Sequence, residues 1–118
     1  MNLQKNTELN KWDIWIADVA FEDDITKSKL RPVLIIDNQK AIILTLKMTS
    51  QPPRINYYAE YQIQEWQKAG LNKPTVVRIS KIIKLPPTLF KKKIGVLPYK
   101  DRKKVTQYLE NNDWKEVL

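Results

Sequence analysis

The side chains best suited to chemistry lie at the two ends of one predicted β-hairpin. The stretch KLRPVLIIDNQKAIILTLKMTSQ covers residues 29–51, and in it Arg31 and Pro32 open one apolar run while Thr49 ends the next. A guanidinium has several donors in a fixed geometry that matches an oxyanion such as phosphate. Because a hairpin returns close to its starting point, we expect Arg31 and Thr49 to lie near each other.

A structural interpretation of the same residues is also open. Arg31 could form an ordinary surface ion pair with Asp13 or Asp18, an interaction that contributes little to stability or function. Thr49 could belong to a turn that precedes Pro52, since hydroxyl side chains favour such turns. The spacing by itself does not decide whether these residues form a functional site or only mark the ends of the strands.

The residue types that are missing restrict the chemistry further. The chain has no cysteine and no histidine, so it lacks a thiolate nucleophile, a disulfide and the usual general base near neutral pH. We expect no cofactor and no metal site. No apolar run approaches the roughly 20 residues of a membrane-spanning helix, and residues 1–11 are too polar for a signal peptide. The expected protein is therefore soluble and cytoplasmic, with no membrane partner.

The net charge of +8 is unevenly distributed along the chain. Residues 1–30 hold four lysines and six acidic residues, so the remaining 88 residues carry a net charge of +10. Such an excess attracts polyanions, because phosphate contacts release counterions and speed encounter. It is typical of nucleic-acid-binding proteins, although many small soluble domains are also basic.

Hydrophobic periodicity indicates one domain over residues 1–118 with five or six strands and little helix. The predicted strands cover residues 13–19, 32–37, 41–48, 56–63, 75–85 and 94–97, and residues 21–30 form a polar loop. The strand at residues 75–85 has mixed faces, which predicts a bend. Residues 64–69 are expected to form no more than two helical turns, and residues 100–111 an amphipathic helix. The expected fold class is mainly β, a strongly curved antiparallel sheet or small barrel with a C-terminal helix.

The order of several segments resembles the MazF/PemK family of toxin ribonucleases. The matching segments are DIWIADV, KLRPVLIID, KMTSQ, TVVRISKIIKL and IGVL, in that order, from Lys11 to Leu97. The resemblance implies an SH3-like barrel, a homodimer, and the toxin role in a type II toxin-antitoxin system with a cognate antitoxin as partner. The chain departs from the family pattern at Trp12, where a glycine is usual, and in the acidic loop at residues 22–28.

The resemblance also implies an activity and roles for particular residues. The family cuts single-stranded RNA, including mRNA, without a metal, by attack of the ribose 2′-hydroxyl on the adjacent phosphate. Arg31 and Thr49 take the catalytic positions. The implied and candidate RNA-binding residues are Lys29, Ser50, Gln51, Arg54, Arg78 and Lys81, with Lys47 as a further candidate phosphate contact. Trp15, Tyr57 and Tyr58 are candidates for stacking on bases.

Two alternatives remain at this level. Asp18, Glu22, Asp23 and Asp24 could hold Mg²⁺ for a metal-dependent nuclease, although they are adjacent in one loop. The chain could also be a barrel without catalysis that binds nucleic acid or poisons a protein target such as gyrase, as toxins of the CcdB type do.

Overall fold

The computed structural model describes residues 8–54 and 59–111. Within them lie β1 (Asp13–Ala20), β2 (Ser28–Asn38), β3 (Ile43–Thr49), β4 (Glu60–Gln62), β5 (Val76–Leu85), β6 (Phe90–Val96) and α1 (Tyr99–Glu110). A short 3-10 turn, Pro87–Leu89, precedes β6. The strands pair antiparallel in one sheet with the order β4-β5-β3-β2-β1-β6. The predicted mainly β fold with a C-terminal helix is confirmed. No helix of the described segments is long and apolar enough to cross a membrane.

The central strands bury side chains on both faces of the sheet, which explains their nearly continuous apolar sequences. Ile14 and Leu34 pack in the core that also receives α1, whereas their neighbours Trp15 and Ile35 pack in a second core, as the two-residue period of a strand requires. Trp15 is 3% exposed and meets the ring of Phe90 edge-on at 6.2 Å between centroids. The prediction that Trp15 stacks on RNA bases is therefore wrong, because its ring fills the core.

Strand β2 begins earlier than predicted, at Ser28 instead of Pro32. Residues 28–32 pair with β1, whereas the pairing of β2 with β3 starts only at Val33, opposite Lys47. A proline, which has no N–H to donate, is tolerated where a strand lacks a partner on one side. Because β1 pairs with β2 as far as Ala20 opposite Ser28, it holds the polar start of β2 extended. This pairing belongs to the tertiary structure, so the local sequence does not reveal it.

The structure differs from the sequence prediction in three other segments. Strand β6 starts at Phe90, not at residue 94, because it is an edge strand whose exposed lysines are compatible with strand structure. Residues 64–70 form hydrogen-bonded turns instead of a helix. Of the strand predicted at residues 56–63, only Glu60–Gln62 forms β4; residues 55–58 lie outside the described segments.

The predicted bend in β5 is confirmed by its register with β3. Leu46 pairs with Ile82, but the next residue, Lys47, pairs with Arg78. Residues 79–81 therefore have no partner on β3, and such a bulge bends a strand and increases its twist. The bend curves the sheet and places Lys81 beside the β1–β2 loop, where it contacts Glu22.

Helix α1 is joined to residues 64–70 through a fully buried carboxylate that the sequence analysis missed. Asp101 accepts hydrogen bonds from the hydroxyl of Tyr61 and from the backbone N–H groups of Gln64 and Glu65. Burial, together with the adjacent carboxylate, raises the pKa of Tyr61. In the first turn of α1, Asp101 also has the charge that the helix dipole favours.

The same turn segment packs backbone against backbone on β6. A Cβ atom placed on Gly95 would lie 2.2 Å from the carbonyl oxygen of Ala69, and one on Gly70 would lie 2.5 Å from that of Ile94. Gly70 also has φ +86°, which side-chain-bearing residues rarely adopt. These contacts fix the turn, and the residues that follow it, beside β6.

We expect Gly95→Ala to lower the free energy of unfolding by about 1–3 kcal/mol, because the added methyl group must push two backbone segments apart. Urea denaturation measures the loss. The control is Gln107→Ala on the exposed side of α1, which should change stability by no more than about 0.5 kcal/mol. Equal midpoints for the parent protein and Gly95→Ala would contradict this close packing.

Candidate functional site

The ends of β2 and β3 border an open cavity of about 650 Å³, here called the Thr49 groove. One wall is formed by the start of β2, one by the end of β3, and the far side by β6 and residues 70–75. The lining residues are Ile16, Lys29, Leu30, Arg31, Pro32, Met48, Thr49, Ser50, Gln51, Gly70, Leu71, Asn72, Lys73, Thr75, Lys92, Lys93 and Ile94. Arg31 and Thr49 therefore both line this cavity, at the open end of the hairpin.

The groove exists because the β2–β3 ladder stops before the strands end. The pairing runs no further than Val33 opposite Lys47, so Arg31 and Thr49 are beyond the last paired residues. Pro32 cannot donate a ladder hydrogen bond at this point. The two strands remain ordered through β1 and β5, their other neighbours. The result is a gap between two well-supported strands.

The charge of the Thr49 groove has one sign. The cations of its lining are Lys29, Arg31, Lys73, Lys92 and Lys93, and no acidic residue belongs to the described lining. Lys93 is partly neutralised, since its Nζ lies 3.3 Å from an oxygen of the buried Asp13. Several cations in a concave surface attract anions more strongly than the same charges spread over a convex one.

Arg31 is half-buried on β2, and its guanidinium carbon lies 6.0 Å from the centre of the Phe21 ring. Among residues 8–54 and 59–111, no carboxylate lies within ion-pair distance of Arg31. The alternative pairing with Asp13 or Asp18 is therefore not what the structure shows. The distance from the guanidinium to the Phe21 ring is at the outer limit of a cation–π contact, and Arg31 lines the Thr49 groove.

Thr49 has the turn role that its sequence position suggested, and it also lines the Thr49 groove. Its Oγ1 accepts a hydrogen bond of 3.1 Å from the backbone N–H of Gln51, as a turn residue does. Because a hydroxyl has one donor and two acceptor positions, this contact leaves the hydroxyl hydrogen available to the groove. Ser50 and Gln51 are exposed at the same edge.

A second cavity of about 820 Å³, the Glu22 groove, lies on the other side of Arg31. Arg31 and Pro32 line both cavities. In the Glu22 groove, Oε1 of Glu22 lies 3.6 Å from Nζ of Lys47 and 3.6 Å from Nζ of Lys81. These two ammonium groups hold the pKa of Glu22 below its ordinary value. Lys81, predicted to bind RNA, therefore lies in the second groove.

Arg54 and Arg78, also predicted to bind RNA, line neither groove. Both contact Glu60, whose side chain is 2% exposed. Nε and Nη2 of Arg54 both donate to Oε2 of Glu60, and Nε of Arg78 lies 3.4 Å from the same oxygen. The hydrogen bond from Arg54 is the main cause that lowers the pKa of Glu60. Their contact with RNA stays a prediction, whereas their observed role is to join residue 54 and β4 to β5.

The far wall of the Thr49 groove was missed by sequence reasoning. Asn72, Lys73, Lys92 and Lys93 are separated from Arg31 by 40 residues or more along the chain. The run Lys91–Lys92–Lys93 was visible in the sequence, but nothing local showed that it faces Arg31. The candidate stacking residues Tyr57 and Tyr58 lie outside the described segments.

The acidic residues of the β1–β2 region do not converge on one point. Glu22 contacts two lysines, while Asp24 accepts hydrogen bonds from the backbone and hydroxyl of Thr26. Among the described residues, no group of three or more acidic, histidine or cysteine side chains is placed to hold a metal ion. The predicted alternative of a magnesium cluster finds no support in this geometry.

The fold and groove together define a small, curved β protein with a cationic cleft at the splayed end of a hairpin. A sequence profile described as "PemK-like, MazF-like toxin of type II toxin-antitoxin system" matches residues 10–112. The chain therefore belongs to the PemK/MazF family of toxins. No curated protein sequence matches it.

Solved structures show the same fold at low sequence identity. A mycobacterial endoribonuclease in complex with its cognate antitoxin has a TM-score of 0.70 at 13% identity, covering 88% of this chain and 93% of that chain. Another mycobacterial endoribonuclease has a TM-score of 0.67 at 15% identity, with 90% of both chains covered. The Mycobacterium tuberculosis toxin MazF-mt6 has a TM-score of 0.65 at 21% identity, with 84% and 93% covered.

We expect Glu60→Gln to reduce stability at pH 7 by about 2–3 kcal/mol, because it leaves two partly buried guanidinium groups without their anion. Since the folded-state pKa of Glu60 is below its ordinary value of 4.5, its contribution is complete above that pH and is lost as the pH falls through the folded-state pKa. Urea midpoints of parent and variant should therefore converge on acidification.

The control for this experiment is Glu65→Gln, which removes a carboxylate paired only with the exposed Lys68 among the described ion pairs. It should change stability little at any pH. A gap between parent and Glu60→Gln that stays constant from about pH 7 to about pH 3 would contradict the assigned role.

Proposed function

We propose that this protein is a metal-independent endoribonuclease that cleaves single-stranded RNA, such as mRNA, and acts as the toxin of a type II toxin-antitoxin system. One observation carries the proposal: Arg31 and Thr49 both line a groove that contains five cations and, in the described lining, no acidic side chain. Family membership and the likeness to mycobacterial endoribonucleases support it.

The groove chemistry suits a phosphodiester chain. Each phosphate of a single strand carries one negative charge, and cations that replace its counterions supply much of the affinity. Ser50, Gln51 and Asn72 add donors and acceptors beside the cations, as recognition of unstacked bases requires.

Arg31 and Thr49 act on the reacting phosphate. The ribose 2′-hydroxyl loses its proton to water as its oxygen forms a bond to phosphorus. The bond from phosphorus to the 5′-oxygen breaks, and that oxygen takes a proton from water, so the products are a 2′,3′-cyclic phosphate and a 5′-hydroxyl end. Arg31 donates in bidentate fashion to the non-bridging oxygens as their charge rises. Thr49, with its oxygen already accepting from Gln51, donates its hydroxyl hydrogen to the same group.

The reaction itself is tested with an RNA oligonucleotide and purified protein. Cleavage should persist in excess EDTA, and it should stop when the nucleotide 5′ to the cut carries 2′-deoxyribose, because the nucleophile is then absent. Loss of cleavage in EDTA would favour the metal-dependent alternative. Intact RNA at high protein concentration would favour the alternative of a barrel that only binds nucleic acid or a protein target such as gyrase.

In that assay we expect Arg31→Ala to lower the cleavage rate about 10²–10³-fold, the scale for removing one electrostatic stabiliser. Arg31→Lys should restore little, since a point charge lacks the bidentate geometry. Thr49→Ala should cost less, and the double variant less than the product of the two effects, because both act on one phosphoryl group. A folded Arg31→Ala protein with the parent rate would refute the assignment.

The lysines of the groove should act on binding instead of chemistry. We expect Lys73→Gln and Lys92→Gln to weaken RNA binding and to flatten the slope of log K against log salt by about 0.7 for each lysine. The rate at saturating RNA should not change. Lys100→Gln on α1, outside both grooves, is the matched control; equal effects of all three variants would show that only net charge matters.

We also propose two protein partners. An antitoxin with an acidic segment fits the Thr49 groove, where it would cover Arg31; the likeness to an endoribonuclease in complex with its cognate antitoxin supports this.

A homodimer is the second proposal. Ile25 and Leu30, 82% and 57% exposed, flank the start of β2 and suit a protein contact. Sedimentation showing a monomer at micromolar concentration would contradict the dimer.

A further inference from the structure

The loop between β1 and β2, residues 21–27, is a compact unit that rests on the Glu22 groove. Its ends are joined by a hydrogen bond of 3.0 Å from the N–H of Phe21 to the carbonyl of Lys27. Inside it, the carboxylate of Asp24 accepts hydrogen bonds from the backbone and hydroxyl of Thr26. These hydrogen bonds within the loop contribute to its shape.

Among the described residues, two side chains of this loop interact with the strands through a ring contact or ion pairs. The ring of Phe21 lies beside the guanidinium of Arg31, and the carboxylate of Glu22 reaches Lys47 and Lys81. The side chain of Glu22 is 65% exposed. Exposed ion pairs of this kind are weak and are screened by salt, so a competing anion can displace the carboxylate.

The two lysines form a fixed cationic fork. Lys47 belongs to β3 and its side chain is 20% exposed, whereas Lys81 belongs to the bulge of β5. Although they come from different strands, both Nζ atoms lie 3.6 Å from one atom, Oε1 of Glu22. Two like charges that converge on one point create a position that favours an anion. Glu22 places an oxygen anion there.

The fork is continuous with the proposed catalytic groove. Arg31 and Pro32 line both cavities, so a chain that leaves Thr49 and passes Arg31 enters the Glu22 groove next. A phosphodiester offers the same charge and the same acceptor oxygens as the carboxylate. Because a polyanion repeats its charged groups, one strand offers a phosphate to each of the two cavities.

We propose that Lys47 and Lys81 form a second phosphate subsite for the RNA backbone and that Glu22 occupies this subsite as an internal competitor. The inference rests on the proposed function, since it takes single-stranded RNA as the ligand. RNA that extends beyond Arg31 displaces Glu22, whereas an oligonucleotide confined to the Thr49 groove does not. The β1–β2 loop thereby weakens binding of long RNA without touching the reacting phosphate.

The test is binding of 2′-O-methyl oligonucleotides, which lack the nucleophile, measured by fluorescence anisotropy. Glu22→Gln should bind a 12-nucleotide probe about three- to fivefold more tightly than the parent, the range that an exposed ion pair can supply. It should bind a trinucleotide with unchanged affinity. Asp23→Asn is the matched control, because it makes the same charge change in the same loop without contacting either lysine in the described ion pairs.

A second comparison assigns the effect to the fork. In a protein carrying Lys47→Gln and Lys81→Gln, the substitution Glu22→Gln should no longer change affinity for the long probe. Thermal unfolding verifies that each variant is folded. Equal tightening by Glu22→Gln and Asp23→Asn, or tightening that persists without the two lysines, would overturn the proposal.

Two further outcomes separate this inference from its basis. If the parent protein fails to cleave RNA but Glu22→Gln still tightens the long probe selectively, the subsite stands and the proposed catalysis falls. If the parent protein cleaves RNA but Glu22→Gln does not change the affinity for the long probe, the proposed catalysis stands and the subsite falls. An acidic peptide that gains as much affinity from Glu22→Gln as the RNA does would assign the fork to a protein partner and overturn the proposal.

Discussion

The early end of the β2–β3 ladder is the constraint on which the rest of the site depends. After Val33 and Lys47 the two strands no longer pair, and Pro32 has no N–H with which to extend the ladder. In most hairpins such an end would fray. Here β1 pairs with the start of β2, and β5 pairs with Thr49 at the end of β3, so the gap between the strands has rigid walls. A rigid gap can hold side chains at a defined separation, which a frayed hairpin cannot.

The second organising feature is the way in which the chain neutralises part of its own positive charge. Buried or partly buried carboxylates hold some cations in place: Asp13 contacts Lys93, and Glu60 contacts two arginines. Glu22 does the same at the surface, but weakly and reversibly. The cations of the Thr49 groove that are left outside these pairs in the described segments are the ones available to an external anion. Binding of an external anion therefore depends less on the net charge of the protein than on which cations are already paired within it.

The far wall of the Thr49 groove depends on contacts between residues that lie outside the groove. The buried Asp101 ties α1 to the start of the turn at residues 64–70, and the close approach of Gly95 to Ala69 fixes the end of that turn against β6. Lys73 and Lys92 are thereby placed across from β2. Their positions are consequences of packing, so damage at Asp101 or Gly95 would alter the groove without removing a single groove residue.

The sequence by itself determined the strands with clear periodicity, the bend in β5, the C-terminal helix, and the position of Arg31 and Thr49 at the same end of the hairpin. All of these depend on neighbouring residues or on one hairpin, where local preferences and a two-residue period are sufficient. Only the tertiary structure decided which of the 21 cations meet in the groove and which are paired internally. It brought Lys73 and Lys92 to Arg31, placed Glu22 between two lysines, and buried Trp15. These arrangements depend on strand order and on register across the whole sheet, and the total free energy of packing selects both, because a shift of one residue would exchange the two faces of a strand.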